Sequence, residues 1–325
     1  MTDDPSSREP VSSAPSSAPR DAALTGIALK VASVCVFLGM SAMLKAAQGV
    51  PTGELVFFRS FFGFLTVVVF LALRGELSAG VRTQSIVGHA TRGIVGTVSM
   101  MLFFFALSRL PLPEAVTLGY AMPLLIVVFS AVFLREVVRL YRWTAVAAGF
   151  AGVVIIAWPS LTLFSSGVSS AAAIGVAASL GAATLGAVAQ LLVGRMVETE
   201  RPATVVFYFL ATASALSLLT VPFGWVTPTP LQAGYLVGAG IAGGIAQILL
   251  AESYRHAEMS VVAPFEYSSL VLSVLVGFVF FGDVPTLFML VGGLIVVASG
   301  IFIIYRERRL GIDVAKAKAR AATTL

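Results

Sequence analysis

Charge is scarce in this sequence. Asp, Glu, Lys and Arg make up 11% of its 325 residues, while 58% are hydrophobic. A soluble domain carries about 25% charge and about 45–50% apolar residues. A chain this poor in charge cannot cover a water-facing surface, which excludes soluble enzymes, nucleic-acid binders and disordered scaffolds. The one cysteine, Cys35, rules out internal disulfides and thiolate metal sites and reads as a packing residue. The two histidines, His89 and His256, stand far apart, and no His-Glu-x-x-His helix, Gly-x-Ser-x-Gly elbow or Gly-x-x-x-x-Gly-Lys-Ser/Thr loop occurs. Neither a metal nor another cofactor is expected, and energy for any work must come from a gradient or a partner. Alternating ten-residue strands, the mark of a membrane β-barrel, are missing too.

What remains is long apolar helix. The mean hydropathy is +0.96, and about 20 apolar residues cross about 30 Å of hydrocarbon. Ten stretches qualify: 23–45, 54–74, 84–108, 113–134, 140–158, 171–193, 203–222, 231–252, 259–281 and 285–305. Breakers such as Gly49-Val50-Pro51, Pro111 with Pro113, and Thr227-Pro228-Thr229-Pro230 separate them. Half of the first 20 residues are Ser or Pro, so residues 1–22 read as a disordered tail rather than a signal peptide. The remaining loops leave no room for a separate soluble domain.

Lys/Arg asymmetry orients the helices. With the N-terminus inside, inner loops and tails carry sixteen basic residues, among them Arg74, Arg82, Arg135, Arg139, Arg142, Arg195, Arg201 and Arg255. The outer loops carry only Lys45 and Arg109. Both termini are therefore expected in the cytoplasm, and the net charge of +5 needs no nucleic-acid partner.

The chain reads as two copies of one unit. ALSRLPLPEAVTLGYAMPLL and FLRE in the first half correspond to AESYRHAEMSVVAPFEYSSL and FFGD in the second. One offset pairs Tyr120 with Tyr267 and Glu136 with Asp283, and each copy ends in small residues seven apart, Ala145 with Gly152 and Gly293 with Gly300. Five helices per copy is an odd number, so the second copy enters the membrane upside down. The fold expected is an all-α membrane protein, ten transmembrane helices as two inverted five-helix repeats. The first repeat covers 23–160 and the second 168–306, followed by a basic cytoplasmic tail over 307–325. Inverted repeats belong mainly to transporters, which rock one repeat against the other around a midplane site. Pro123 and Pro264 fall in corresponding helices and are the candidate gating positions, with a static kink as the alternative. Gly234, Gly238, Gly240, Gly243 and Gly244 read as a close-packing face.

Four charges lie inside helices: Lys30, Arg59, Arg92 and Glu266. Lys30 has room to snorkel, and Arg59 pairs locally or lines an outer vestibule. Ser85, His89, Arg92, Gly96 and Ser99 share one helix face, and Glu266, Ser269, Ser273 and Gly277 make a similar stripe. Arg92 and Glu266 sit at similar depth, so they either pair or flank a polar solute. The candidate substrate-binding residues are Arg92, His89, Ser99, Tyr120, Gln247, Glu266 and Tyr267, with Tyr120 and Tyr267 suited to stacking on a planar ligand or to anchoring.

These features carry a resemblance. The five-helix unit, ALSRLPLPEA, FLRE and GFAGVVII resemble the EamA-type repeat of the drug/metabolite transporter superfamily across about residues 23–307. FFRSFFG, GHATRG, APFEY and FFGDVP are similar to a bacterial subgroup that includes riboflavin and S-adenosylmethionine uptake proteins. The resemblance implies a central cavity, alternating access and an inner-membrane location. The function expected is secondary transport of a small metabolite: a vitamin, S-adenosylmethionine or an amino-acid-like compound. A broad-specificity exporter is the alternative, and a channel or a membrane-embedded enzyme follows behind. The partners expected are a small-molecule substrate, the lipid bilayer and a proton or cation gradient.

Overall fold

A computed structural model describes residues 18–133, 135, 138–165, 170–197, 199–257 and 259–323. Most of the expected tail over 1–22 lies outside the described residues, as does Glu136, the expected counterpart of Asp283. The described residues form helices and no strands. In chain order the helices are α1 (Ala18–Ala46), α2 (Thr52–Leu73), the short α3 (Leu77–Val81), α4 (Ile86–Leu107), α5 (Leu112–Gly119), α6 (Ala121–Phe133) and α7 (Leu140–Ser165). The second half holds α8 (Ser170–Met196), α9 (Pro202–Leu218), α10 (Pro230–His256), α11 (Met259–Val262), α12 (Ser268–Val276) and α13 (Leu287–Thr323).

Each expected stretch contains one crossing. The fourth is α5 with α6. The ninth runs from α11 through a 3₁₀ turn, Ala263–Tyr267, into α12 and a π-helical end, Gly277–Phe281. Among the described residues nine spans are long and apolar enough to cross a membrane. The seventh crossing, α9, has 17 residues, at the short end of the spanning range of about 17–25, and a 3₁₀ turn at Val221–Phe223 prolongs it. Two helices run beyond expectation. α1 begins at Ala18, inside the segment read as tail, and α13 continues through the basic segment to Thr323.

Local chemistry explains the ends. Pro230 occupies the first turn of α10, where its missing N–H is no loss, and Thr229 caps that helix. The Thr229 hydroxyl accepts from the Gln232 N–H at 3.3 Å, and the Gln232 side chain accepts from the Thr229 N–H at 2.8 Å. Gly282 ends the ninth crossing at φ +68°, a left-handed turn that a Cβ would strain.

The packing follows an inverted two-fold. α1 lies against α10, and its repeat-mate α8 lies against α4. α2 packs on α10 as α9 packs on α4, while α2 with α9 and α7 with α13 pair across the pseudo-axis. Glycines set the close crossings. A Cβ at Gly152 would meet the Gly292 carbonyl at 2.7 Å, and one at Gly292 would meet the Gly152 carbonyl at 2.5 Å. Gly240 and Gly244 of α10 sit against Phe58 and Phe62, and against Gly63 and Thr66, of α2. Apolar side chains such as Val69, Leu275, Phe278 and Leu294 remain exposed on the outside of the bundle, as lipid contact requires. Cys35, expected to pack, is exposed instead.

Candidate functional site

The interrupted crossings meet near the pseudo-axis. Pro123 offers no N–H to the Gly119 carbonyl, and the helix breaks there, between α5 and α6. Pro264 lies in the 3₁₀ turn that separates α11 from α12. Tyr120 and Tyr267, which the repeat offset pairs, are in contact: their rings lie 5.1 Å apart, inclined by 55°. The Tyr120 hydroxyl bonds Ser269 Oγ and donates to the Glu266 carbonyl at 3.5 Å. The Tyr267 hydroxyl fills the space left by Gly300. Tyr120 is buried and Tyr267 half-buried.

A cavity of about 230 Å³ lies among α1, α2 and α4. Met40 reaches it from α1, Arg59 from α2, and Gly96, Ser99 and Phe103 from α4. The Ser99 hydroxyl donates to the Ala182 carbonyl of α8 at 2.8 Å, which ties this wall to the second repeat. Arg59 is 4% exposed, and its Nε and Nη1 have no hydrogen-bond partner among the described residues. Gly243 leaves it room, since a Cβ there would stand 3.4 Å from Arg59 Nε. Arg92, one turn before Gly96, lays its guanidinium over the Phe209 ring at 3.6 Å from the centroid. A Cβ at Gly96 would stand 3.0 Å from Arg92 Nη1. Nε and Nη1 of Arg92 also lack partners among the described residues. The two guanidiniums are within electrostatic reach of each other. A charge at the bilayer centre costs about 2.5–3.5 kcal/mol on insertion scales, and buried charges are ordinarily paired. Arg59 in this cavity wall, and Arg92 one turn from the wall residue Gly96, are therefore two cations without a carboxylate partner among the described residues.

Glu266 does not join them. Its carboxylate pairs with Lys30 Nζ, and Lys30 is buried while the Glu266 side chain is about half exposed. The expected alternative of an Arg92–Glu266 pair is thereby corrected, and so is a snorkelling Lys30. Equal depth fixes height along the bundle but not direction around it; α1, not α4, faces the start of α12.

Two other expected site residues lie elsewhere. His89 is buried at the end of the bundle that carries both termini, stacked on Tyr208 with centroids 4.5 Å apart. Its Nε2 is 3.6 Å from Glu200, beyond hydrogen-bond range. Glu200 accepts from Thr83 Oγ1 at 2.7 Å, from the Gln84 N–H at 2.6 Å and from the Ser85 N–H at 3.2 Å. Burial pushes this carboxyl up, but those three donors together with His89 hold it below its ordinary value. At the far end Glu54, at the matching start of α2, accepts from the Val226 N–H at 3.1 Å. Gln247 lines a separate pocket of about 320 Å³ with Arg74, Val206 and Glu252.

The far end is also tied by Lys45, which lies 3.5 Å from Asp283 Oδ2 and donates to the Leu110 carbonyl at 2.7 Å. Asp283 in turn accepts from the Leu112 N–H at 3.0 Å. Lys45, Leu110 and Asp283 line a vestibule of about 530 Å³, and Phe104 stands in the walls of both this vestibule and the cavity that Arg59 lines. Arg59, for which local pairing or a place in a vestibule wall was expected, does not stand among the candidate binding residues, yet it lines this cavity. Its signal was the aromatic run FFRSFF opposite a glycine-rich helix, which leaves a long cation nowhere polar to go but a cavity.

The pattern of the EamA-like transporter family matches residues 24–158 and again residues 173–306. A pseudopaline exporter of Pseudomonas aeruginosa is 28% identical over 281 residues, covering 85% of this chain and 94% of its own. A riboflavin transporter of Rhizobium johnstonii is 29% identical over 287 residues, 88% of this chain and 90% of its own. An S-adenosylmethionine uptake transporter of Rickettsia bellii is 25% identical over 256 residues, 79% of this chain and 84% of its own. One solved crystal structure superposes with a TM-score of 0.63 at 22% identity, over 88% of this chain and 99% of the other, a likeness of fold alone.

Proposed function

Because this chain belongs to the EamA-like transporter family, we propose that it carries its small-metabolite substrate by alternating access through the cavity between α1, α2 and α4. One observation carries the reading. The two interrupted crossings, related by the repeat, meet at Tyr120 and Tyr267 within a bundle that also holds a cavity walled by buried polar groups, and breaks in paired helices are where a rocking repeat can bend. Arg59 and Ser99 of that cavity, with Arg92 against its wall at Gly96, are the binding residues, and Pro123 and Pro264 the bending points. The Lys45–Asp283 and Glu200 clusters tie opposite ends and are the contacts that exchange as the carrier turns.

The membrane is a bacterial inner membrane, with the face that bears both termini in the cytoplasm, where the basic loops belong. The protein is a carrier rather than an enzyme, like the relatives named above. A proton or cation gradient drives accumulation, and the half-exposed Glu266 beside Lys30 is the carboxylate placed to respond to it. Riboflavin and S-adenosylmethionine, carried by relatives, are the first solutes to try. Purified protein in proteoliposomes is expected to show saturable uptake and counterflow of at least one such metabolite. Flux that rises linearly with concentration and shows no counterflow would mean a channel instead.

A further inference from the structure

The first three crossings contain four cations: Lys30, Lys45, Arg59 and Arg92. Two have carboxylates, Lys30 with Glu266 and Lys45 with Asp283. The other two have none among the described residues, although both are largely withdrawn from solvent and each lies within the other's field. An architecture that matches its other cations has left these two without carboxylates, Arg59 in the wall of a cavity and Arg92 against Gly96 of the same wall. We propose that Arg59 and Arg92 form the subsite for an anionic group of the transported solute, a carboxylate or a phosphate.

The chemistry suits that group. A guanidinium presents a planar fork of donors that fits two oxygens of a carboxylate or phosphate, and such bonds strengthen when water is excluded. Arg59 lines the cavity with Nε and Nη1 free, and Phe209 and Gly96 hold the Arg92 guanidinium one turn from it. Met40, Met100 and Phe103 supply an apolar wall for the body of the solute. An anion entering between the two arginines replaces mutual repulsion by attraction, so occupancy relieves a cost that the empty carrier bears. Had the arginines been structural, a carboxylate partner or an apolar residue of the same size would have served better.

The inference rests on the carrier reading, and its test separates the two. The full-length protein in detergent is titrated with matched probes that differ by one anionic group, and apparent stability is followed. Flavin mononucleotide against riboflavin tests phosphate; S-adenosylmethionine against its decarboxylated form tests carboxylate. The anionic member of at least one pair is expected to bind at least tenfold more tightly, and the pair that responds identifies the group. Arg59→Met and Arg92→Met are each expected to reduce that preference to within twofold. Arg59→Lys, which keeps the charge and loses the fork, is expected to lower it at least threefold and covers a Met variant that fails to fold. A preference below tenfold in both pairs, or one that survives both Met substitutions, overturns the subsite. Saturable counterflow of a neutral member with no anion preference would overturn the subsite and leave the carrier. Anion-selective binding with no flux of any probe would do the reverse.

Discussion

The carboxyl of Glu200 is held at the end of the bundle by two backbone N–H groups and a hydroxyl. Its value is depressed in the folded protein, so its contribution is fully present above the ordinary carboxylate value of about 4.3 and fades as pH falls through the lower folded value. Glu200→Ala is expected to cost about 1–3 kcal/mol at neutral pH, the range for buried donors left unsatisfied. The gap between variant and wild type should close on acidification, as thermal unfolding at several pH values would show; a gap that widens in acid would contradict the assignment. Lys30 and Glu266 make a different case. Glu266→Gln leaves a buried ammonium without its charge partner, so it is expected to destabilise more than the Lys30→Met/Glu266→Gln double substitution. The exposure of Glu266 keeps the loss below the figure for a fully buried pair. Glu266→Gln is also expected to lose gradient-driven accumulation while retaining exchange; unchanged accumulation would remove it from coupling. The sequence made the charges legible and left their partners open. Periodicity put Arg92, Gly96 and Ser99 on one face, and the cavity receives Gly96 and Ser99 from that face. Partners depend on which helix lies across the gap, and no periodicity within one helix carries that.

At the scale of elements, the ten crossings and the proline breaks were legible because length, hydropathy and missing N–H groups act locally. The repeat offset went further and paired Tyr120 with Tyr267, which are in contact. The continuation of α13 was not legible, since Lys, Arg and Ala favour helix whether or not lipid surrounds them. Glycines show how much neighbours decide. Gly152 and Gly292 interlock backbone to backbone between α7 and α13, while nothing lies within 4 Å of a Cβ at Gly234. Gly152→Ala is therefore expected to cost about 1–3 kcal/mol by overpacking. Gly234→Ala, in a helix with open space, is expected to be neutral or to stabilise by about 0.5–1 kcal/mol. Thermal unfolding of the two variants in one detergent decides; equal effects would mean that α7 and α13 do not approach this closely.

For the whole molecule, inversion is the property from which alternating access follows. Two copies of one unit, upside down to each other, give two conformations of similar energy by exchanging which copy adopts which local shape. The matched contacts fit this: α1 with α10 mirrors α8 with α4, and Glu54 binds the Val226 N–H at one end as Glu200 binds Gln84 and Ser85 at the other. Orientation can be read chemically, because Cys35 is the sole cysteine. In a Cys35→Ser background, cysteines at the exposed positions Gln48 and Thr227 follow the first and seventh crossings. Both are expected to react with a membrane-impermeant maleimide in intact cells. Cysteines at Gln84 and Arg201, exposed positions after the second and sixth crossings, are expected to react only once the membrane is permeabilised. Gln48 and Arg201 follow the first helix of each repeat, so a direct repeat would place them on the same face and an inverted one on opposite faces. Labelling of both in intact cells would remove the inversion and, with it, the physical basis for exchanging the two ends of the cavity.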